Sequence, residues 1–335
     1  MSTDVLSEVL RAVRLTGAVF FSMEGFAPWV AEAPASPCIA KGVLPGCEHV
    51  IEYHLLTEGT CSAGLIDGPS VRMNAGDIIV FPQGDAHVIA STAGMRTPTN
   101  IELYRRPKND QLPVSVSFSG SGRERAQIVC GFLGYDARPF NPLLATLPRM
   151  IHMPKRSGPD GAWMEQLVRL AVLESSARRP GGESVLARLS ELLFIQAVRH
   201  HLASLPPDTT GWLAGLRDET VGRSLSLLHD RPAEAWSLDE LAKEVGSSRS
   251  VLAERFHHYV GVPPMQYLAR WRMQLAAALL SGAELSLAEI AERVGYGSEA
   301  ALSRAFKRLV GVAPSAWREG TRPAADYKPP AEAAG

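Results

Sequence analysis

No apolar run in this 335-residue chain is long enough to cross a bilayer. Residues Met1 to Arg14 alternate charged with apolar side chains and lack the basic-then-apolar order of a signal peptide. The expectation is a soluble cytoplasmic protein with no membrane partner. Cysteine is scarce as well. Cys38, Cys47, Cys61 and Cys130 all fall in the first 130 residues and form no CxxC pair. A cytosolic chain of this size needs no disulfides, and buried structural thiols would account for all four. An excess of either charge is also missing. With 34 Lys and Arg against 35 Asp and Glu, the net charge of −1 neither favours nor excludes nucleic acid. What is abundant is hydrophobic residues, 46% of the chain, enough for two domains with their own cores and a helical connector.

Texture changes along the chain. Residues 1–16 read as an amphipathic helix with Val5, Leu6, Val9, Leu10 and Val13 on one face. From about 17 to 135, short apolar runs such as Ile51–Leu56, Ile78–Phe81 and Ile128–Phe132 alternate with turns such as Asp67-Gly68-Pro69, the pattern of a small sandwich or barrel. A helical period follows. Trp163, Leu167, Leu170, Ala171 and Leu173 share one helix; Val185, Leu186, Leu189, Leu192, Leu193, Ile195, Val198 and Leu202 share a second. That second apolar face is wider than a surface helix needs, which suits either core packing or a dimer interface. Pro206-Pro207-Asp208-Thr209-Thr210-Gly211 reads as a hinge, and the Pro- and Ala-rich tail as disordered.

A near-repeat follows the hinge. Leu238-Asp239-Glu240-Leu241-Ala242-Lys243-Glu244-Val245-Gly246 returns as Leu287-Ala288-Glu289-Ile290-Ala291-Glu292-Arg293-Val294-Gly295, and each copy closes on Gly261-Val262-Pro263-Pro264 or Gly311-Val312-Ala313-Pro314. A helix, a glycine turn and a second helix built twice in tandem is what two helix-turn-helix units require. In the first unit Ser237 and Ser248 cap the two helices. Val251, Leu252, the Arg255 stem and Phe256 form the buried face, leaving Arg249, Ser250, Ala253 and Glu254 outward to meet base edges. In the second, a helix from about Ser298 buries Leu302 and Phe306 and presents Glu299, Ala300, Ser303 and Arg304, with Lys307 and Arg308 placed for phosphates. A helix over 265–280 holds the units apart and displays Arg270 and Arg272. Such a spacer suits two major-groove segments about one helical turn apart. Within 216–322 there are 14 Lys and Arg against 13 Asp and Glu, so the motif carries the DNA reading and the charge does not.

The string Ile290-Ala291-Glu292-Arg293-Val294-Gly295-Tyr296, with Phe306-Lys307, Gly311-Val312-Ala313-Pro314 and Trp317-Arg318, resembles the signature of the AraC/XylS family of bacterial transcription regulators. The resemblance implies promoter binding and, often, activation through contact with RNA polymerase. Upstream, Gly76-Asp77-Ile78-Ile79-Val80-Phe81-Pro82-Gln83-Gly84-Asp85-Ala86-His87 resembles the second cupin motif, in which a strand turns at Gly84 and delivers His87 to a barrel mouth. The first cupin motif is degraded. Counted back from Gly59, Glu52 occupies the usual carboxylate position, but the HxH pair is missing and His54 stands two residues after Glu52, on the same strand face. These features, with His54-Leu55-Leu56-Thr57-Glu58-Gly59 and Val129-Cys130-Gly131-Phe132, resemble the cupin sensor domain of a subgroup of AraC-type regulators.

The expected fold is α+β multidomain: a cupin-like barrel over 1–140, a helical, dimerising connector over 141–207, an all-α double helix-turn-helix domain over 208–322 and a disordered tail over 323–335. Glu52, His54 and His87 are the candidate effector-binding residues. His54, His87 and a thiol, Cys130 or Cys61, are candidate ligands for a zinc-like ion. The same group is open to redox sensing by a low-pKa thiol, to an organic effector, or to satisfied structural histidines. The function expected is a non-enzymatic, homodimeric transcription activator controlled by a small molecule, metal or redox signal. The alternative is a cupin-type metal-dependent enzyme fused to a DNA-binding module.

Overall fold

The computed structural model describes residues 4–13, 15–47, 49–106, 112–135, 139–155, 159–177, 179–282 and 285–320. The tail 323–335 and the side chain of Trp163 lie outside the described set. The first half of the chain contains α1 (Val5–Val13), β1 (Thr16–Phe26), β2 (Val30–Ala33), α2 (Ser36–Val43), β3 (His49–Glu58), β4 (Thr60–Leu65), β5 (Ser70–Asn74), β6 (Ile78–Phe81), β7 (His87–Ala90), β8 (Val114–Phe118), β9 (Arg125–Tyr135) and β10 (Ile151–Met153). Helices make up the rest: α3 (Pro159–Ala177), α4 (Gly182–Ser204), α5 (Trp212–Gly215), α6 (Glu219–Asp230), α7 (Leu238–Glu244), α8 (Arg249–Val260), α9 (Pro264–Leu280), α10 (Leu287–Arg293), α11 (Glu299–Val310) and α12 (Pro314–Arg318). Two compact units result. One combines Arg14–Asp136 with Leu147–Ser204; the other combines Met1–Val13, Ala137–Thr146 and Leu205–Gly335.

The first unit is built on two sheets, one of six strands in the order β10-β6-β3-β9-β1-β8 and one of four in the order β2-β7-β4-β5. Residues Val50 to Leu56 of β3 are all buried, so this strand is covered on both faces. One covering layer is α4, whose Ser190 hydroxyl lies 2.7 Å from the Tyr53 hydroxyl in a buried hydrogen bond. Leu186, Leu189, Leu193 and Val198 of α4 are buried as their period requires, whereas Leu170, Leu173, Val185 and Leu192 remain 38–47% exposed. Helices α3 and α4 thus group with the sheets.

The second unit holds the tandem motif. Capping boxes start α7 at Ser237 with Glu240 and α10 at Ser286 with Glu289, while Ser248 and Ser298 cap α8 and α11. Each such cap stabilises its helix by about 0.5–2 kcal/mol. The turn between the paired helices needs a positive φ, supplied by Gly246 at 70° and Gly295 at 76°. Ile290, Ala291, Val294, Leu302 and Phe306 pack with Met273, Ala276 and Leu280 of α9 and with Trp317 of α12 in one core. Helix α1 belongs to this unit, with Val5 and Val9 buried. The buried amide of Gln274 on α9 donates to the Ala12 carbonyl and accepts from the Phe140 N–H, both at 3.1 Å. One side chain therefore ties two non-consecutive segments to the spacer helix.

Candidate functional site

His87 is delivered by a tight turn. Strand β6 ends at Phe81, and Gly84 takes φ 63° where a Cβ would lie 2.3 Å from Ser36 Cβ. Three residues later the chain enters β7 with His87, which is fully buried. Its Nδ1 lies 2.8 Å from the Asp85 carbonyl. A carbonyl only accepts, so Nδ1 carries the proton and Nε2 of the neutral ring presents a lone pair. The Phe81 ring stacks on the imidazole at 3.8 Å between centroids, fixing its plane. His87 belongs to the four-stranded sheet; Glu52 and His54 lie on β3 of the six-stranded one, on a shared face by strand alternation.

Across this gap His54 Nε2 and His87 Nε2 are 2.7 Å apart, and Glu52 Oε2 is 3.8 Å from His87 Nε2. Since His87 Nε2 is bare, His54 Nε2 is the donor of that hydrogen bond. One donor atom from each of Glu52, His54 and His87 fits within 4.8 Å of the others. Glu52 is 1% exposed, and neither of its oxygens has a hydrogen-bond partner among the described residues; nor has His54 Nδ1. Burial pushes the Glu52 carboxyl well above the usual carboxylate range. Burial, then the neighbouring His87, pushes His54 well below the imidazole range, and burial brings His87 to about 4 although Asp85 opposes it. Three ionisable groups are thus held towards neutrality at one buried point. An unpaired buried carboxyl costs free energy that a bound cation would recover, because a cation reverses the local preference for the neutral acid.

The group forms one end of a cavity of about 280 Å³, near the lower bound of small-molecule pockets. Phe21, Ile89, Leu103, Tyr104, Phe118 and Phe132 contribute apolar walls. Cys130 also lines it, beside His54 in the β3–β9 register.

In the second unit, the expected base-reading positions sit at the surface. Arg249, Ser250 and Glu254 of α8 are exposed, as are Glu299, Ala300, Arg304, Lys307 and Arg308 of α11; Ser303 is half-buried. The buried sides belong to Leu252 and Phe256 in α8 and Leu302 and Phe306 in α11, all at 0% exposure. Arg249 approaches Asp239 of α7 at 3.5 Å, an exposed pair of small energetic weight.

Residues 4–203 match the Cupin family and residues 241–320 match a helix-turn-helix domain family. An AraC-like transcription regulator of Streptomyces antibioticus is 41% identical over 277 residues, 82% of this chain and 88% of that protein. The chain belongs to the AraC-type transcription regulators. The HTH-type transcriptional regulator AlkR of Acinetobacter baylyi is 31% identical over 79% of this chain and 87% of that protein. The RCS-specific HTH-type transcriptional activator RclR of Escherichia coli is 26% identical over 82% and 86%. Among solved structures, the DNA-binding domain of AdpA in complex with a target DNA is similar at 29% identity, covering 31% of this chain and 92% of that one, with a TM-score of 0.29.

Several side chains of this AraC-type regulator differ from their sequence expectation. Arg272, expected to be displayed, has its guanidinium engaged by the protein's own backbone. It is half-buried, donates to the carbonyls of Pro232 and Glu234 at 2.7 Å each, and lies over the Tyr296 ring, so it ties the spacer helix to the segment ahead of α7. Arg270 is also half-buried, and its Nε has no partner among the described residues. Val251, expected in the core, is 49% exposed on the outward half of α8. Ala301, the matching position in the second copy, is also incompletely buried.

The thiols divide: Cys61 and Cys130 are buried, as structural thiols would be, whereas Cys38 is exposed and Cys47 half-buried. The donor group comprises Glu52 rather than a cysteine. Cys130 Sγ donates to Met23 Sδ at 3.2 Å, and burial, followed by the charge of Glu52, pushes its thiol well above the usual range. Cys61 does not line the cavity, and burial, with Asp77 adding to it, raises its thiol to about 12. Neither has the electropositive, accessible setting that makes a reactive thiolate.

Proposed function

We propose that this AraC-type regulator is a transcription activator whose reading of promoter DNA is controlled by a cation held between Glu52, His54 and His87. The observation that carries the reading is the buried Glu52 carboxyl, with neither oxygen partnered, facing two imidazoles. A carboxylate oxygen and imidazole nitrogens form a donor set suited to zinc and related first-row ions. The Asp85 carbonyl would act as the outer partner that orients His87. Bound there, the ion supplies positive charge that stabilises ionised Glu52. Loading then favours one of two arrangements of the protein, to the extent that they differ in affinity for the ion.

At the reader, Arg249, Ser250 and Glu254 meet one set of base edges, and Glu299, Ala300, Ser303 and Arg304 a second. Lys307 and Arg308 are placed to hold phosphates. RNA polymerase is the expected protein partner of an activator. The exposed Leu170, Leu173, Val185 and Leu192 suit a homodimer contact. The relative named as an activator supports that direction of control. The rival reading, a metal-dependent enzyme, is set aside because relatives matched over about four-fifths of this chain are named as transcription regulators.

Elemental analysis of untagged protein prepared without chelator tests the reading, alongside the His54→Ala/His87→Ala double variant. A stoichiometric transition metal, lost in the variant, is expected. Native protein free of metal, also after dialysis against zinc, would contradict it.

A further inference from the structure

The cavity is far larger than an ion requires, and its remaining walls are mostly apolar. Beyond the Glu52–His54–His87 group lie the rings of Phe21, Tyr104 and Phe118 with the aliphatic side chains of Ile89, Leu103 and Val116. The charged groups near this chamber are already committed. Glu32, on its wall, accepts from Arg96 Nη2 at 3.2 Å and from the Thr97 N–H at 2.9 Å, and pairs with Arg96 Nε as well. Asn100 Oδ1 accepts from the Glu102 N–H. None of the described lining residues is a lysine or arginine.

Charge balance then selects the ligand. A divalent ion beside one carboxylate and two neutral imidazoles leaves one unit of positive charge in a buried, weakly polar space, where uncompensated charge is costly. Three protein donors also leave room in the coordination shell of such an ion. Without the ion, the same space offers an anion no cationic side chain among the described lining residues.

Building on the cation reading above, we propose that the chamber takes a small, largely apolar organic acid as a second effector, its carboxylate directed at the Glu52–His54–His87 group and its apolar body packed among Phe21, Leu103, Val116 and Phe118. The two ligands bind with positive coupling. Each raises the affinity of the other by the same factor, as linkage requires. The regulator therefore responds to the coincidence of metal and acid.

The test uses the full chain, freed of metal with chelator and then dialysed with or without zinc. Benzoate and its uncharged counterpart benzyl alcohol are the probes, with binding followed by calorimetry and zinc affinity by competition with a chromogenic chelator. Benzoate should bind the zinc-loaded chain at least about tenfold more tightly than the metal-free chain, within the usual range of such couplings. Zinc affinity should rise by the same factor at saturating benzoate, and benzyl alcohol should show no zinc dependence. Val116→Phe, which fills the chamber, should abolish benzoate binding while leaving zinc stoichiometry unchanged. Zinc bound at Glu52, His54 and His87 with no gain in benzoate affinity would overturn this inference and leave the cation reading standing. No zinc bound at all would overturn both.

Discussion

Replacing Asp218 separates two roles of one carboxylate, capping α6 and anchoring the first helix expected to read DNA. As the N-cap of α6, its Oδ1 accepts from the Thr220 and Val221 N–H groups at 3.1 and 2.9 Å. The same carboxylate receives Arg255 of α8 through Nε at 3.1 and 3.0 Å and through Nη2 at 2.6 Å. The Asp218 side chain is 3% exposed but Arg255 is 50% exposed, so the ion pair is discounted to the upper part of the surface range, about 0.5–1 kcal/mol. Asn caps a helix as well as Asp does, so Asp218→Asn should cost about that amount alone. Asp218→Ala removes the cap too and should cost about 1–3 kcal/mol in total. Arg255→Ala should be nearly silent in the Asp218→Asn background, giving a coupling of about 0.5–1 kcal/mol in the double-mutant cycle. Burial raises the Asp218 carboxyl, but Arg255 and the Val221 and Thr220 N–H groups outweigh it, and the net shift is downward. A carboxyl lowered by folding stabilises the protein above its unfolded pKa of about 3.9, and the contribution fades as pH falls through the lower folded value. Urea unfolding of the full-length variants at pH 7 and below pH 4 measures both effects. An unchanged midpoint for Asp218→Ala at pH 7, or additive Asp218 and Arg255 losses, would refute the reasoning.

Other substitutions probe separate parts of the account. Gly246→Ala should cost about 1–2 kcal/mol for a left-handed alanine, since nothing lies within 4 Å of its added Cβ. Gly295→Ala should cost about 1–3 kcal/mol more, because that Cβ would meet the Ala233 carbonyl oxygen at 2.5 Å; thermal unfolding ranks the two. Arg304→Ala should weaken DNA binding in a gel-shift titration and leave the unfolding midpoint in place. Arg272→Ala should do the reverse at first order, losing about 1–3 kcal/mol of stability with its two carbonyl contacts. In a thiol-reagent time course on native protein, exposed Cys38 should react first, and buried Cys61 and Cys130 only on unfolding.

The reader was legible because its information is local. Capping serines, a glycine at each turn and a helical apolar period recur within one copy and then again in the next, so the four helices and their caps follow from short windows of sequence. Arg272 was not legible, because its carbonyl partners at Pro232 and Glu234 lie about forty residues upstream and no periodicity encodes them. The Glu52–His54–His87 site was legible in part. Alternation placed Glu52 and His54 on one face of β3, and the Gly84 turn pointed to His87. That His87 Nε2 meets His54 Nε2 depends on two sheets closing over each other, a contact across 33 positions of sequence. The surroundings of the thiols were not legible, for a related reason. Cys130 does neighbour His54 in register, but its sulfur is engaged by Met23 from β1, and only the β1–β9 pairing reveals that.

The most direct measurement is the affinity of the chelator-treated full chain for DNA upstream of its own gene, at fixed salt, as zinc is added to native protein and to Glu52→Gln. Native protein should change affinity by at least about fivefold, the lower end of ordinary allosteric coupling, and Glu52→Gln should not respond. Equal affinity with and without zinc in the native protein, or the same response from Glu52→Gln, would contradict control through the Glu52–His54–His87 site.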